Sequence, residues 1–160
     1  MLRGKRMMLA LDQALRTTGW AVFKDDELCE YGTFYVPTNM NMGKRLEKFM
    51  DEVGDLVDKY QVDIVCFEDI QDQANISTFK ILAFVQAAGM IFCAERDIKF
   101  DILAPSHWRK ILGGGFGRKR EEQKRKSVEL VKEKYGYQVC EDAADAICIG
   151  LAWLEENKNK

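Results

Sequence analysis

Asp12, Glu68, Asp142 and Asp145 stand where an acid has little structural use. Asp12 ends the apolar run Met7-Met8-Leu9-Ala10-Leu11, and Glu68 ends a second run, Val62-Asp63-Ile64-Val65-Cys66-Phe67. Asp142 and Asp145 open an apolar segment that continues to Trp153. Two acids three residues apart share one face of a helix, and the helix dipole favours negative charge at its start. Capping accounts for Asp142. It accounts less well for Asp145, which is already inside the helix among apolar neighbours. A buried carboxylate without a partner is costly, no basic residue lies near this one in sequence, and a bound cation resolves the cost. Four carboxylates make a hard, oxygen-only donor set that suits Mg²⁺, with Mn²⁺ as a substitute. Two such ions roughly 3.5–4 Å apart activate a water and steady a leaving oxygen in phosphodiester cleavage. Asp63, Asp101 and Glu141 read instead as strand-edge or capping acids, and Asp69 should point away from Glu68, its chain neighbour.

These acids need strands and a buried helix to hold them, and the composition allows both. A chain of 160 residues, 47% of them hydrophobic, suggests a single domain over 1–160 with a substantial core. No apolar run approaches the ~18 residues of a membrane span. The five cysteines are odd in number and lack C-x-x-C spacing, which favours buried thiols in a reducing cytoplasm over a zinc site. His107 is the single histidine, so a histidine-based metal site or a Ser-His-Asp triad is not favoured. The total charge of −2 hides an asymmetry. From Arg109 to Lys126 there are eight basic residues and two acidic ones, a net of +6, which leaves −8 for the rest. A basic block on an acidic body suits nucleic acid, although a solvated helix face would look the same.

Hydrophobic periodicity places strands at 7–12, 18–23, 28–35, 62–67 and 99–104. An amphipathic helix spans Met42 to Tyr60, and a second runs from Ser77, its expected N-cap, to Arg96. A short helix begins at Pro105-Ser106. Gly113-Gly114-Gly115-Phe116-Gly117 reads as a mobile loop. A basic helix from about Arg120 to Tyr135 and a buried helix from Asp142 to about Glu156 close the chain. This order predicts an α/β fold: a five-stranded mixed sheet, the first three strands antiparallel and the last two parallel, with helices on both faces. In such a sheet the first and fourth strands lie side by side and bring Asp12 and Glu68 together.

The segment Leu9-Ala10-Leu11-Asp12-Gln13-Ala14-Leu15-Arg16-Thr17-Thr18-Gly19-Trp20 resembles the first-strand motif of RuvC-type Holliday-junction resolvases, in the ribonuclease H-like superfamily. Val65-Cys66-Phe67-Glu68 resembles the family's second acid, and Asp142-Ala143-Ala144-Asp145-Ala146 its closing D-A-A-D-A. The likeness covers nearly the whole chain in the right order. It implies a ribonuclease H-like fold and a homodimeric, Mg²⁺-dependent endonuclease acting on four-way DNA junctions in the bacterial cytoplasm. A compact, divergent sequence also suits a bacteriophage version. The family places two lysines near the scissile phosphates. Arg109 falls near the first, and Arg118, Lys119, Arg120 or Lys124 stands for the second. With Lys110 and Phe116, these form the expected DNA-binding set, in which Phe116 on its glycine loop either makes a plain anchoring contact or wedges or stacks at the branch. Two departures stand out. Gln13-Ala14 replaces the family's usual Pro-Gly. The stretch Asp69-Ile70-Gln71-Asp72-Gln73 lacks the aromatic that usually follows the second acid, so forks and flaps join four-way junctions as expected substrates.

Two other classes share features with this chain. Actin-like and sugar-kinase-like ATPases also have an Asp, a turn and Thr-Gly in their first hairpin. That fold needs two such domains, and no glycine-rich phosphate motif follows the fourth strand here. A non-catalytic DNA-binding module would have no need of the four intact acids.

Overall fold

A computed structural model describes residues 4–71 and 75–160. The chain runs β1 (Met7–Asp12), β2 (Thr17–Lys24), β3 (Glu27–Tyr35), α1 (Met42–Tyr60), β4 (Ile64–Glu68), α2 (Ile76–Glu95), β5 (Lys99–Leu103), α3 (Pro105–Ile111), α4 (Arg120–Tyr135) and α5 (Glu141–Glu156). The sheet has the order β3-β2-β1-β4-β5. The pairs β1–β2 and β2–β3 are antiparallel, and β1–β4 and β4–β5 are parallel. This is the mixed sheet expected from the pattern of elements.

Strand alternation sorts the core into two layers. Leu9, Leu11, Val22, Val65 and Phe67 face α1 and α2, where Phe49, Val53, Val85, Ala88 and Phe92 complete one cluster. Met8, Ala10, Ala21, Phe23 and Cys66 face α3, α4 and α5, with Trp108, Val131, Ile147 and Ile149 in the second. Asp12 has the parity of Met8 and Ala10, and Glu68 that of Cys66. Both acids therefore point toward the α3–α5 layer, the side from which α5 brings its own acids. Parallel register aligns them along the sheet, since Leu11 pairs with Phe67 one residue earlier.

Two glycines set how closely α5 lies on β2. A Cβ on Gly19 would sit 1.9 Å from the Asp142 carbonyl oxygen, and one on Gly150 would sit 2.2 Å from Phe23 Cε2. The turn into β2 is closed by Thr18, whose buried hydroxyl donates to the Ala14 carbonyl at 2.8 Å.

Some local expectations are corrected. Asn75, not Ser77, caps α2, because its side chain accepts from the Ser77 and Thr78 amides. Glu141 is the first residue of α5 and Cys140 its cap position, without a side-chain capping bond. The stretch 69–73 lies partly outside the described residues. Asp101 is exposed on the edge strand β5, as expected, and accepts from Trp153 Nε1 at 2.7 Å.

Because the contact at Gly19 is with backbone, no rotamer change relieves it. Gly19→Ala should cost roughly 1–3 kcal/mol in urea denaturation, the scale of an overpacked core. Gly4→Ala, with nothing within 4 Å of its Cβ, should be neutral.

Candidate active site

The four acids meet at one end of the sheet. Asp12 leaves the end of β1, Glu68 the end of β4, and Asp142 and Asp145 the first turns of α5. At their centre is an ammonium group from another helix. Lys124 Nζ lies 3.5 Å from Asp12 Oδ2, 3.6 Å from Asp142 Oδ1, and donates a hydrogen bond to Asp145 Oδ2. Lys124 and Asp145 are 15% and 8% exposed at their side chains, so this pair is largely out of water. The expectation that Asp145 has no basic partner is thus corrected, and Lys124, expected on DNA, pairs with acids. Glu68 has a different partner, as Trp108 Nε1 donates to its Oε2 at 2.7 Å.

Burial pushes the Asp12 carboxyl well above the usual range, and the charges of Glu68, Asp145 and Asp142 push it further. Lys124 opposes them incompletely. Burial likewise raises Glu68, against the Trp108 hydrogen bond and the Arg109 and Lys124 charges. Burial works to lower Lys124, but Asp12 and Asp145 more than offset it and hold it above its ordinary value.

The acids form the floor of an open cleft of about 770 Å³, whose rim carries Arg16, Arg109, Arg118 and Arg120. Arg109 stacks its guanidinium 5.0 Å from the Trp108 ring centre. Arg16, on the β1–β2 turn, was not expected in the site. Nor was Gln13, which hydrogen-bonds the Glu68 backbone. Their one sequence signal was position, one and four residues after the strand-end acid Asp12. Lys110 and Lys119 are exposed but do not line the cleft. Phe116 is corrected. It is 4% exposed, and its ring packs edge-on against Trp108 at 5.4 Å, so the glycine loop is pinned to the core. Asp69 turns toward α2, where its Oδ1 accepts from Gln86 Nε2 at 3.4 Å.

Four carboxylates, three of them paired with one ammonium, fit a divalent metal in kind. Among the described residues, no three of the acids converge on one metal-sized point as they stand. Lys124 pairs with three of these carboxylates, so a metal ion binding there would compete with its ammonium.

A five-stranded mixed sheet with helices on both faces, and acids at the ends of β1, β4 and the start of α5, defines a ribonuclease H-like protein. The profile of the crossover junction endodeoxyribonuclease RuvC family matches residues 8–153, and the chain belongs to that family. It is 28% identical over 154 residues to the RuvC of Dictyoglomus thermophilum, covering 92% of this chain and 96% of that one. It is 29% identical to the RuvC of Akkermansia muciniphila, covering 92% and 89%. Among solved structures, the fold is similar to that of Thermus thermophilus RuvC in complex with a Holliday junction substrate, with a TM-score of 0.77 at 12% identity over 96% of each chain. It is also similar to the fowlpox virus resolvase with Holliday junction DNA, with a TM-score of 0.60 at 17% identity over 96% of this chain and 99% of that one.

The folded protein holds protons on Asp12 and Glu68 to higher pH than the unfolded chain does. From the unfolded carboxylate range of about 4 up to the raised values, the folded state binds more protons. Stability from these two groups therefore falls as pH rises through that window. In metal-free buffer at pH 7, Asp12→Asn should raise the melting temperature, on a scale of roughly 2–4 °C per kcal/mol. Thermal melts should show the gain shrinking as pH falls toward about 4.

Proposed function

We propose that the chain is a metal-dependent, structure-selective endonuclease that hydrolyses phosphodiester bonds at four-way DNA junctions as a homodimer in the bacterial cytoplasm. The observation that carries this reading is the meeting of Asp12, Glu68, Asp142 and Asp145 beneath an arginine rim, in a chain whose curated relatives are named crossover junction endodeoxyribonucleases. The four acids would hold two Mg²⁺ ions, for which Mn²⁺ substitutes. Bound there, the metal would supply charge neutralisation at the scissile phosphate and a water of lowered pKa.

The chain's own residues do the rest. Arg16, Arg118 and Arg120 take backbone phosphates at the rim, a role that positions DNA without reading bases. Arg109, held by stacking on Trp108, presents its charge beside Glu68. Lys124 is already paired with Asp12, Asp142 and Asp145. Released from them, its ammonium is placed to meet charge developing on the phosphate.

A second reading widens the substrate to forks and flaps. It is favoured by the cleft lining, which holds no aromatic side chain among the described residues. Phe116 is turned inward, so nothing described there stacks at a branch point, and selection would rest on shape and charge. Incubation with junction, fork, flap and linear duplex DNA, with and without Mg²⁺, separates the readings. Asp12→Asn, Glu68→Gln, Asp142→Asn and Asp145→Asn should each abolish nicking while DNA binding persists in gel shifts. Near wild-type cutting by any two of them would reject the assignment.

The dimer reading rests on α2. This helix is long and apolar enough to cross a membrane by length and composition, with a mean hydropathy of 1.7 and 28% of that window buried. Its inner face packs on its own sheet through Val85, Ala88 and Gly89. Its outer stripe leaves Ile76, Phe79, Phe84 and Ile91 in water at 41–70% exposure. A stripe of this size on one face fits an isologous contact with a second copy. Phe84→Glu should shift the sedimenting species from dimer to monomer with unchanged circular dichroism, and a wild-type monomer at assay concentrations would remove the claim.

A further inference from the structure

Glu68 is held at both its backbone and its side chain by residues that no role has yet absorbed. The regular β1–β4 pairing runs from Met8 and Ile64 to Leu11 and Phe67. Beyond it, the Gln13 side chain substitutes for a peptide group. Its Oε1 accepts from the Glu68 backbone N–H at 3.1 Å, and its Nε2 donates to the Glu68 carbonyl. Both backbone groups of one residue are thus fixed by one amide. The carboxylate is fixed separately, because Trp108 Nε1 donates to Oε2 at 2.7 Å. Neither anchor has room to wander. Trp108 is fully buried, Gln13 is 9% exposed, and Phe116 braces the indole ring edge-on. One oxygen of Glu68, Oε1, is left outside the Trp108 bond.

We propose that Gln13 and Trp108 are positioning residues that orient Glu68 toward the cleft and so set the affinity of the carboxylate cluster for a divalent cation. The proposal rests on the reading of Glu68 as a metal ligand. Groups that orient a ligand in this way typically govern metal affinity by tenfold or more. A tryptophan that merely packed would satisfy its N–H on any acceptor and leave metal binding alone. Trp153 is such a case within the same protein, since its Nε1 donates to Asp101 at 2.7 Å, outside the cleft lining.

The test uses the full chain with Mn²⁺ and Mg²⁺ as probes. Trp108→Phe keeps the ring and loses the donor, and Gln13→Met keeps the length and loses both bonds. Calorimetric titration with Mn²⁺ should show each variant weakened by roughly tenfold or more. Phe116→Leu loosens the packing on Trp108 without deleting either bond to Glu68, and should bind Mn²⁺ like the wild type despite a lower melting temperature. In ¹⁵N-labelled protein, Mg²⁺ should move the Trp108 indole resonance, assigned by its loss in Trp108→Phe, and leave that of Trp153 in place. Wild-type Mn²⁺ affinity in both Trp108→Phe and Gln13→Met would overturn the proposal. So would an equal loss in Phe116→Leu, or a Trp108 resonance unmoved at saturating Mg²⁺. Glu68→Gln separates the two levels of argument. If it binds Mn²⁺ like the wild type, or if the wild type binds none, the reading of Glu68 as a ligand fails first.

Discussion

Like charges gathered out of water repel, and much of the structure around this cleft follows from that repulsion. Asp12, Asp142 and Asp145 are held within 3.6 Å of one ammonium group, and Glu68 is near enough to raise Asp12. Lys124 offsets part of the cost. The N-terminal dipole of α5 offsets more, but only for acids in the first turn, where Asp142 sits. That places a constraint on β2, because α5 must start hard against it. The approach is so close that Gly19 has room for no side chain. The residual strain appears as proton affinity in Asp12 and Glu68. A cluster that would be more stable with fewer acids is the mark of a site kept for use rather than for stability.

The two faces of the sheet divide the work. One layer, with α3, α4 and α5, brings the partners of the strand-end acids. It supplies the Trp108 donor, the Lys124 ammonium and the α5 acids. The other layer, with α1 and α2, contributes no acid to the cluster. Its helix α2 is apolar on both sides and spends one on the sheet. The proposed interface lies on the outer side of α2, and the N-terminal part of that helix reaches the cleft through Thr78 and Leu82.

Much of this was legible in the sequence, for a definite reason. An acid ending an apolar run is a local conflict between burial and charge, and such conflicts mark function. Asp12, Glu68, Asp142 and Asp145 all announce themselves in this way, and period-2 alternation puts the first two on one face. The misses share a different character. Lys124 looked like one more charge in a basic block, because its partners lie 21 residues on in another helix and on β1. Phe116 sits among glycines, and the reading of a mobile loop followed from them. One aromatic side chain finding Trp108 was enough to pin it. Gln13 registered only as a departure from Pro-Gly. That an amide side chain completes a sheet pair is a three-dimensional fact with no periodic signature. On the other face, Gly89 lets α2 close on Phe67 of the sheet, 2.6 Å from where a Gly89 Cβ would lie.

The charge distribution explains how a chain of net charge −2 suits a polyanion. Arg16, Arg109, Arg118 and Arg120 ring the cleft, while its floor is acidic. Taken alone, the floor repels phosphate and the rim attracts it, so a DNA strand can be held across the opening yet kept off the acids. Lys124 neutralises only part of that floor. On the proposed function, each divalent cation taken up by the acids removes the remaining repulsion where the scissile phosphate must enter. A phosphate seated there would in turn offer oxygen ligands to the cation. The two binding events then favour each other by the same free energy, as linkage requires. On that reading, the acids that make the empty fold less stable would couple the occupancy of the site to the presence of its substrate.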